Sequence, residues 1–170
     1  NNCEFSYNTV MNAYLDEPHD GDTNHDDGFQ SLINTPGIIM SNITLRGNIF
    51  ISCTNPAQPH KGLMQGIGCF TTAGYIAYSG WIVENNVVAI NMINGIALGG
   101  ASNCRIVNNT VVTNPLTLGG DTPQTRIDQA VSTGNTVRNN LSPSWIFSGT
   151  YTADHNITLS SANYSTHFVD

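Results

Sequence analysis

The chain repeats one short phrase of apolar and polar positions five times. The copies occupy residues 5–10, 45–50, 83–88, 106–111 and 137–142. The fourth position of each copy is an asparagine: Asn8, Asn48, Asn86, Asn109 and Asn140. The residue three before it is always apolar, and the residue two after it is apolar except in the last copy, which has serine. Apolar side chains on both sides of a fixed polar residue are typical of stacked coils, because one coil cannot bury its own inner face.

The asparagine suggests how each coil turns. Asparagine adopts the left-handed conformation at low cost, so we expect it to bend the chain between two short strands. In coils about 4.8 Å apart, equivalent side-chain amides would form a hydrogen-bonded ladder. The asparagines are 40, 38, 23 and 31 residues apart. We interpret the interval of 23 as a bare coil and the excess elsewhere as loops that project from one side.

Short strands punctuated by glycine and asparagine predict an all-β fold, a right-handed parallel β-solenoid of about five to seven coils. We assign residues 1–170 to a single domain. The alternative is a β-sandwich, which would form antiparallel hairpins. No window shows a sustained helical period.

Composition narrows the possible partners. Charged residues make up only 10% of the chain, and the net charge is −7. Nucleic acid is disfavoured, because the five cationic residues form no run. No apolar run is long enough to cross a bilayer, so we expect a soluble protein without a membrane partner.

The ends and the cysteines give weaker indications. The chain begins at Asn1 without an initiator methionine or a secretory signal, so we expect a processed piece of a longer protein. A neighbouring segment or another chain would then cover the open coil end.

The four cysteines have no metal-binding spacing, which leaves two interpretations: small buried residues, or at least one disulfide. They are Cys3, Cys53, Cys69 and Cys104.

Residues 17–30 carry the densest chemistry, with five carboxylates and two histidines. Closely packed carboxylates repel one another unless a proton, a cation or a base separates them, and such contacts shift pKa values. The alternative is a solvated acidic loop. Four oxygen-bearing side chains at alternate positions also suggest a Ca²⁺ site: Asp20, Asp22, Asn24 and Asp26.

A second comparison within the chain suggests how this segment is used. Residues 25–30 and 60–65 both place a glutamine five residues after a histidine. If the two segments are neighbouring coils in register, three pairs would lie about 5 Å apart. The pairs are His25 over His60, Asp26 over Lys61 and Gln30 over Gln65.

Such a patch suits polysaccharide chemistry in two ways. Elimination at a uronic acid needs a base, a group that neutralises the substrate carboxylate and an acid. His25 or His60 is our candidate base. Lys61, Arg46 or Ca²⁺ would neutralise the substrate carboxylate, and Tyr14, Tyr75 or Tyr78 would be the acid. Hydrolysis would instead divide the acid and base roles between Asp26 and Asp27, provided that the backbone turns there.

Residues 103–112, with Gly95 to Leu98 before them, resemble the right-handed parallel β-helix repeats of the pectate-lyase-like superfamily. That superfamily includes pectate and alginate lyases, mannuronan epimerases, polygalacturonase-type hydrolases and phage tailspike depolymerases. The resemblance implies glycan binding in a groove along a parallel sheet. Residues 17–20 are similar to the Asp-Pro-His-Asp motif of the epimerases, with Glu17 in the first position. Asp26 and Asp27 resemble the paired aspartates of the hydrolases, but the hydrolases' Gly-His-Gly and Arg-Ile-Lys elements are absent.

Two functions remain as hypotheses. The first is an extracellular or virion-borne enzyme that cleaves or epimerises an acidic polysaccharide, with or without Ca²⁺. The second is a non-catalytic fibre or adhesin segment that binds glycan; a homo-oligomer is possible for either and would be a trimer in a tailspike. The catalytic candidates are His19, Asp20, His25, Asp26, Asp27, His60 and Lys61. The candidates for substrate contact are Gln30, Gln65, Arg46, Tyr75, Tyr78 and Trp81, although a tryptophan beside a strand is more often a packing residue.

Overall fold

The computed structural model describes residues 2–12, 26–57, 63–72, 74–116, 120–160 and 162–168. These residues form short β-strands and one short helix, α1 (Tyr164–His167). The first ten strands are β1 (Cys3–Ser6), β2 (Thr9–Met11), β3 (Asp26–Ile33), β4 (Met40–Ser41), β5 (Ile43–Arg46), β6 (Ile49–Ile51), β7 (Met64–Thr71), β8 (Tyr78–Ser79), β9 (Ile82–Glu84) and β10 (Val87–Ile90). The other ten are β11 (Asn94–Gly99), β12 (Ala101–Ser102), β13 (Arg105–Val107), β14 (Thr110–Thr113), β15 (Gln124–Asp128), β16 (Asn135–Arg138), β17 (Leu141–Ser142), β18 (Ser144–Phe147), β19 (Tyr151–Asp154) and β20 (Ile157–Thr158).

The strands form four parallel sheets. Sheet A has the order β1-β5-β9-β13-β16-β19, and sheet B has the order β2-β6-β10-β14-β17-β20. Sheet C has the order β18-β15-β11-β7-β3, and sheet D has the order β12-β8-β4. The chain visits the sheets in the order C, D, A, B, as in β7, β8, β9 and β10, and then returns to C with β11. We call one such passage a repeat. Every strand pairing among the described residues is parallel, which is consistent with a β-helix and not with the hairpins of a sandwich.

The apolar columns of the sequence phrase are the columns of the core. In sheet A, Leu45 pairs with Phe5 on one side and Val83 on the other. In sheet B, Phe50 pairs with Val10 and Val88 in the same way. Leu45, Val83, Phe50 and Val88 are fully buried. Each strand therefore gains its buried surface from the repeats above and below it.

The predicted asparagine ladder is present and has one more member than the phrase suggested. At each step, the backbone N–H and the Nδ2 of one asparagine donate to the Oδ1 of the next, at 2.9 to 3.1 Å. The Nδ2 of the later asparagine also donates to a main-chain carbonyl of the preceding repeat, as from Asn86 to Leu45 at 3.0 Å. The series is Asn8, Asn48, Asn86, Asn109, Asn140 and Asn156.

Two expectations about the turn at the ladder asparagine were wrong in detail. The left-handed residue is the one before the ladder asparagine: it is Gly47 with φ 63° before Asn48, and Asn85 with φ 57° before Asn86. The ladder asparagines themselves do not have positive φ, and their amides bond along the stack. In addition, the step from Asn140 to Asn156 spans only 16 residues, so the interval of 23 is not the shortest repeat. The sequence phrase did not reveal Asn156, because the residue three before it is the small Ala153 and the residue two after it is the polar Thr158.

The cysteines follow the first of the two interpretations. All four are free, Cys53, Cys69 and Cys104 are buried, and Cys3 is exposed. Cys69 packs in the core, and burial raises the pKa of its thiol well above the usual value. Three cysteines therefore act as small core residues.

Candidate functional site

Much of the predicted site lies outside the described residues. The residues in question are His19, Asp20, Asp22, Asn24, His25, His60, Lys61 and the candidate acid Tyr14. The described candidates are Asp26, Asp27, Gln30, Arg46, Gln65, Tyr75, Tyr78 and Trp81. The site can therefore be built only from the second group and from the strands that carry it.

Sheet C carries a continuous row of polar side chains on its outer face. On β3, Gln30 Nε2 donates to Asp27 Oδ2 at 2.7 Å. Asp27 pairs across the sheet with Gln65 on β7, and Gln65 Oε1 accepts from Asn94 Nδ2 on β11 at 2.5 Å. Next to Asn94, β15 adds the last two members of the row.

On β15, a guanidinium continues the row. Arg126 Nη1 donates to Asn94 Oδ1 at 3.1 Å, and Arg126 Nη2 donates to Asp128 Oδ1 at 3.0 Å. The second ion-pair contact, from Nε to Oδ2 of Asp128, is 2.8 Å. We call the whole row the polar strip, formed by Asp27, Gln30, Gln65, Asn94, Arg126 and Asp128. It crosses four neighbouring strands and combines carboxylates, amides and one guanidinium.

The polar strip is recessed. Gln65 is 2% exposed, Asp27, Asn94, Arg126 and Asp128 are half-buried, and Gln30 is exposed. Gly68 helps to seat Asp27, because a Cβ at position 68 would lie only 3.0 Å from Asp27 Oδ1. Recessed polar groups keep fixed positions when they are hydrogen-bonded to one another, as most of these are.

The predicted register between β3 and β7 was wrong by three residues. Gln30 pairs with Gly68, and Asp26 pairs with Met64, three residues after Lys61. The register follows the ladder: Asp27 and Gln65 are 38 residues apart, the same interval as Asn48 and Asn86. The shared spacing from histidine to glutamine was therefore a coincidence. The proposed stacking of His25 on His60 falls on residues that the structure does not describe.

Asp26 and Asp27 do not form an acid and base pair. They are consecutive residues of β3 and pair in register with Met64 and Gln65. Consecutive strand residues face opposite sides, so the two carboxylates diverge. The turn that the hydrolase hypothesis required is absent at these two positions.

Two of the predicted substrate contacts are core residues. Tyr78 and Trp81 are fully buried, and their rings pack edge to face with centroids 5.1 Å apart. The Tyr78 hydroxyl lies 2.7 Å from the carbonyl oxygen of Phe70, and Trp81 Nε1 donates to the carbonyl of Met40 at 2.9 Å. Burial also raises the pKa of Tyr78, which suits neither an acid nor a sugar contact. Tyr75 is half-buried and donates its hydroxyl to the carbonyl of Ile33 at 2.8 Å.

Arg46 lies on a different sheet from the polar strip. It is on β5 of sheet A, where its Nε donates to Glu84 at 2.6 Å and its Nη1 lies 3.4 Å from Glu4. The hydrogen bond that Arg46 donates to Glu84 raises the pKa of the guanidinium. Arg46 therefore belongs to sheet A, and Arg126, beside Asn94 and Asp128, is the cation of the polar strip on sheet C.

Three members of the polar strip were missed in the sequence: Asn94, Arg126 and Asp128. Residues 124–128 place Thr125 and Ile127 between longer polar side chains, and burial alternates in the same way. That period of two was the available signal for a strand. It was overlooked because residues 116–134 carry no copy of the asparagine phrase.

The described residues contain no group of three or more metal-ligating side chains that could hold an ion. Of the four proposed Ca²⁺ ligands, only Asp26 is described, and it is exposed. The Ca²⁺ site stays a prediction. A cavity of about 390 Å³ lies away from the polar strip, on sheet A, and is lined by Asn2, Cys3, Glu4, Asn42, Thr44, Gly80 and Ile82.

Comparison of the chain with protein-family models, with curated proteins and with solved structures gives no match. Within the described parts of the chain, no helix has the length and hydrophobicity needed to span a membrane.

Proposed function

We propose that the protein is a right-handed parallel β-helix of the pectate-lyase-like kind and that it binds and processes an acidic polysaccharide along sheet C. The observation that carries the proposal is the polar strip, a row of side chains across four parallel strands in which Gln30 bonds to Asp27 on β3 and Gln65, Asn94, Arg126 and Asp128 bond to one another across β7, β11 and β15. Neighbouring strands are about 4.8 Å apart, so the row offers polar groups at regular steps along one line. An extended glycan presents hydroxyl and carboxylate groups at comparable steps.

The side chains of the polar strip suit such a ligand. The amides of Gln30 and Asn94 can both donate to and accept from sugar hydroxyls. Arg126 is the cation of the strip, and a uronate carboxylate would compete with Asp128 for its guanidinium, which binds carboxylates with two parallel hydrogen bonds. The strip holds two carboxylates and one guanidinium, and the protein as a whole carries −7, so an acidic polymer would have to displace Asp128 from Arg126 or bring a cation with it.

Catalysis would depend on the segments that lead into β3 and β7. His25 directly precedes Asp26, and Lys61 is three residues before Met64, the cross-strand partner of Asp26. In the proposed elimination, a histidine of these segments removes the proton at C5 while a cation neutralises the uronate. The C4–C5 double bond forms as the bond from C4 to the glycosidic oxygen breaks, and that oxygen takes a proton from an acid. We propose lyase or C5-epimerase chemistry in preference to hydrolysis, because Asp26 and Asp27 diverge on β3.

A second candidate is glycan binding without catalysis. It is favoured by the hydrogen bonds of the two carboxylates in the polar strip. Asp27 accepts a hydrogen bond from Gln30, and Asp128 forms an ion pair with Arg126. Carboxylates engaged in this way hold a surface in shape and are occupied by their own neighbours. The same polar strip would then serve recognition alone.

The test separates binding from chemistry. Affinity electrophoresis of Arg126→Gln against uronate polymers should show a loss of retardation, whereas Arg138→Gln should bind as the wild type does. Arg138 is a matched control, because it is also paired with an aspartate but lies on sheet A. Equal binding by both variants would refute the role of the polar strip.

Product analysis then addresses the reaction. Unsaturated ends are followed by ultraviolet absorbance, reducing ends by a colorimetric assay and epimerisation by proton NMR of the polymer. Loss of product in His25→Ala, with binding retained, would support the enzyme. Binding without product on every polymer would favour the second candidate.

A further inference from the structure

Phe70 is a half-buried aromatic residue on the outer face of sheet C. It lies on β7 directly after Cys69, whose side chain is in the core. Because consecutive strand residues face opposite sides, the ring of Phe70 is on the side of the sheet away from the core. Within the described part of the chain, it is not one of the half-buried hydrophobic residues that pack against the core, which are Phe5, Val10, Phe29, Met40, Tyr75, Trp145 and Phe147.

The ring of Phe70 lies over Gly68, at the edge of the polar strip. A Cβ at position 68 would be 2.6 Å from both Cε2 and Cζ of Phe70, so the edge of the ring occupies the space above this glycine. Asp27 reaches the same glycine, since its Oδ1 would be 3.0 Å from that Cβ. Gln30, which donates to Asp27, is the cross-strand partner of Gly68 on β3. An aromatic ring, a carboxylate and an amide therefore meet around one residue that has no side chain.

The main chain that carries this ring is fixed from the core side. The carbonyl of Phe70 accepts a hydrogen bond from the Tyr78 hydroxyl at 2.7 Å, and Tyr78 is fully buried. On the outer face, Phe70 pairs across the sheet with Leu32, which is 59% exposed and extends the apolar surface onto β3. A rigid aromatic side chain on a fixed strand loses little freedom when a ligand binds to it.

The chemistry of this cluster matches one face and the rim of a sugar ring. A pyranose has a face of C–H bonds that packs on an aromatic ring, and a rim of hydroxyls that need hydrogen-bond partners. The carboxylate of Asp27 and the amide oxygen of Gln30 are acceptors for such hydroxyls. A uronate carboxylate would instead meet the like charge of Asp27, so the cluster favours a neutral sugar.

We propose that Phe70, Gln30 and Asp27 form a subsite for a neutral sugar ring, which stacks on Phe70. The inference rests on the proposed function and narrows its substrate to a polysaccharide that contains neutral sugars as well as uronates. The uronate is directed to Arg126 on β15, two strands from β7 and therefore about 10 Å away across the sheet. Phe70 takes the stacking role that the sequence suggested for Trp81, which is buried.

Affinity electrophoresis against three classes of polymer tests the subsite. The mixed polymers are xanthan, gellan and hyaluronate, the uronate-only polymers are polygalacturonate and alginate, and the neutral polymers are dextran and galactomannan. The wild type should be retarded by a mixed polymer, and more strongly than by either uronate-only polymer, because only a mixed polymer fills both positions.

Substitutions at Phe70 separate stacking from a merely apolar contact. Phe70→Leu keeps apolar bulk but removes the aromatic face, and it should weaken binding of the mixed polymer about 3- to 10-fold. Phe70→Trp keeps an aromatic face and should bind within about twofold of the wild type, with an added tryptophan emission that shifts to the blue as the sugar covers it. Phe168→Ala is the matched control, because it removes a 40% exposed aromatic ring that contacts Tyr164 of α1 and not sheet C, and it should bind as the wild type does.

The outcomes distinguish this subsite from the proposed function. Equal retardation of the wild type and Phe70→Leu by a mixed polymer would overturn the subsite and leave the acidic polysaccharide as substrate. Tighter binding of a uronate-only polymer than of every mixed one would overturn the neutral sugar. Retardation by a neutral polymer alone, lost in Phe70→Leu, would support the subsite and refute the acidic substrate, whereas no retardation by any polymer would overturn both.

Discussion

Replacement of one central asparagine tests how much the ladder stabilises the fold. Asn86 is 1% exposed and makes four hydrogen bonds through its side chain. Its Oδ1 accepts from the backbone N–H and the Nδ2 of Asn48, at 2.9 and 3.0 Å. Its Nδ2 donates to the carbonyl of Leu45 at 3.0 Å and to Oδ1 of Asn109 at 2.9 Å. Asn86→Ala removes all four and leaves buried partners that water cannot reach.

The magnitude follows from the count of bonds. A protein hydrogen bond contributes about 1 kcal/mol net, and a buried group left without its partner costs about 1 to 3 kcal/mol. We therefore expect Asn86→Ala to lower the free energy of unfolding by about 4 kcal/mol. For a chain of this length, that loss corresponds to a fall in Tm of about 8 to 16 °C.

Two variants serve as controls for this prediction. Asn85 precedes Asn86, is exposed and has φ 57°, so Asn85→Gly keeps the left-handed turn and should change stability by less than about 0.5 kcal/mol. Asn8→Ala removes two side-chain bonds at an exposed end, where water replaces them, and should cost about 1 kcal/mol.

The assay is urea unfolding followed by tryptophan fluorescence and circular dichroism, with Tm measured by calorimetry. Trp81 is a suitable probe because it is fully buried in the core. The ladder would not be the stabilising feature if Asn86→Ala lost less than about 1.5 kcal/mol, the upper end of the range for one hydrogen bond. The same conclusion would follow if Asn85→Gly cost as much as Asn86→Ala.

Three further outcomes are expected. Gly66→Ala should lower the free energy of unfolding by about 3 kcal/mol in urea titrations, because its Cβ would meet Gly95 O and the Val88 side chain. Gly37→Ala is the control: Gly37 has φ 83° and open space around it, so the change should cost about 1 kcal/mol, and equal losses for the two variants would contradict the packing. In a thiol-reagent assay of the native protein at pH 8, only the exposed Cys3 should react quickly. The buried thiols, including Cys69 with its raised pKa, should react only when the protein unfolds, and fast reaction of all four would contradict their burial. The hydrogen bond from Arg138 lowers the pKa of Asp154, so the stability it contributes is fully present above the unfolded value of about 3.9 and is lost as pH falls through the lowered pKa. Asp154→Asn should therefore lower Tm at pH 7 but not at pH 2, and a shift in Tm that is the same at both values would refute the coupling.

Local pattern determined the stack of strands. The apolar columns around Asn48 and Asn86 identified which residues face the core, because parallel strands in register place equivalent positions over one another. The ladder followed from the same reasoning, since a fixed amide in each repeat meets its equivalents above and below. These features depend on short-range periodicity, which is written directly in the sequence.

The tertiary structure decided which polar residues meet on sheet C. Gln65 lies beside Asp27 and Asn94 only because the register follows the ladder interval, and the match between histidine and glutamine gave a different one. Likewise, the local sequence does not distinguish the buried Trp81 from an exposed tryptophan that stacks on a sugar. Nor does it show that Arg126, and not Arg46, belongs to the polar strip. Burial and cross-strand neighbours depend on loop lengths between repeats, which vary freely without changing the local pattern. The sequence by itself thus determined the repeating layers, and only the three-dimensional stacking determined the composition of the site.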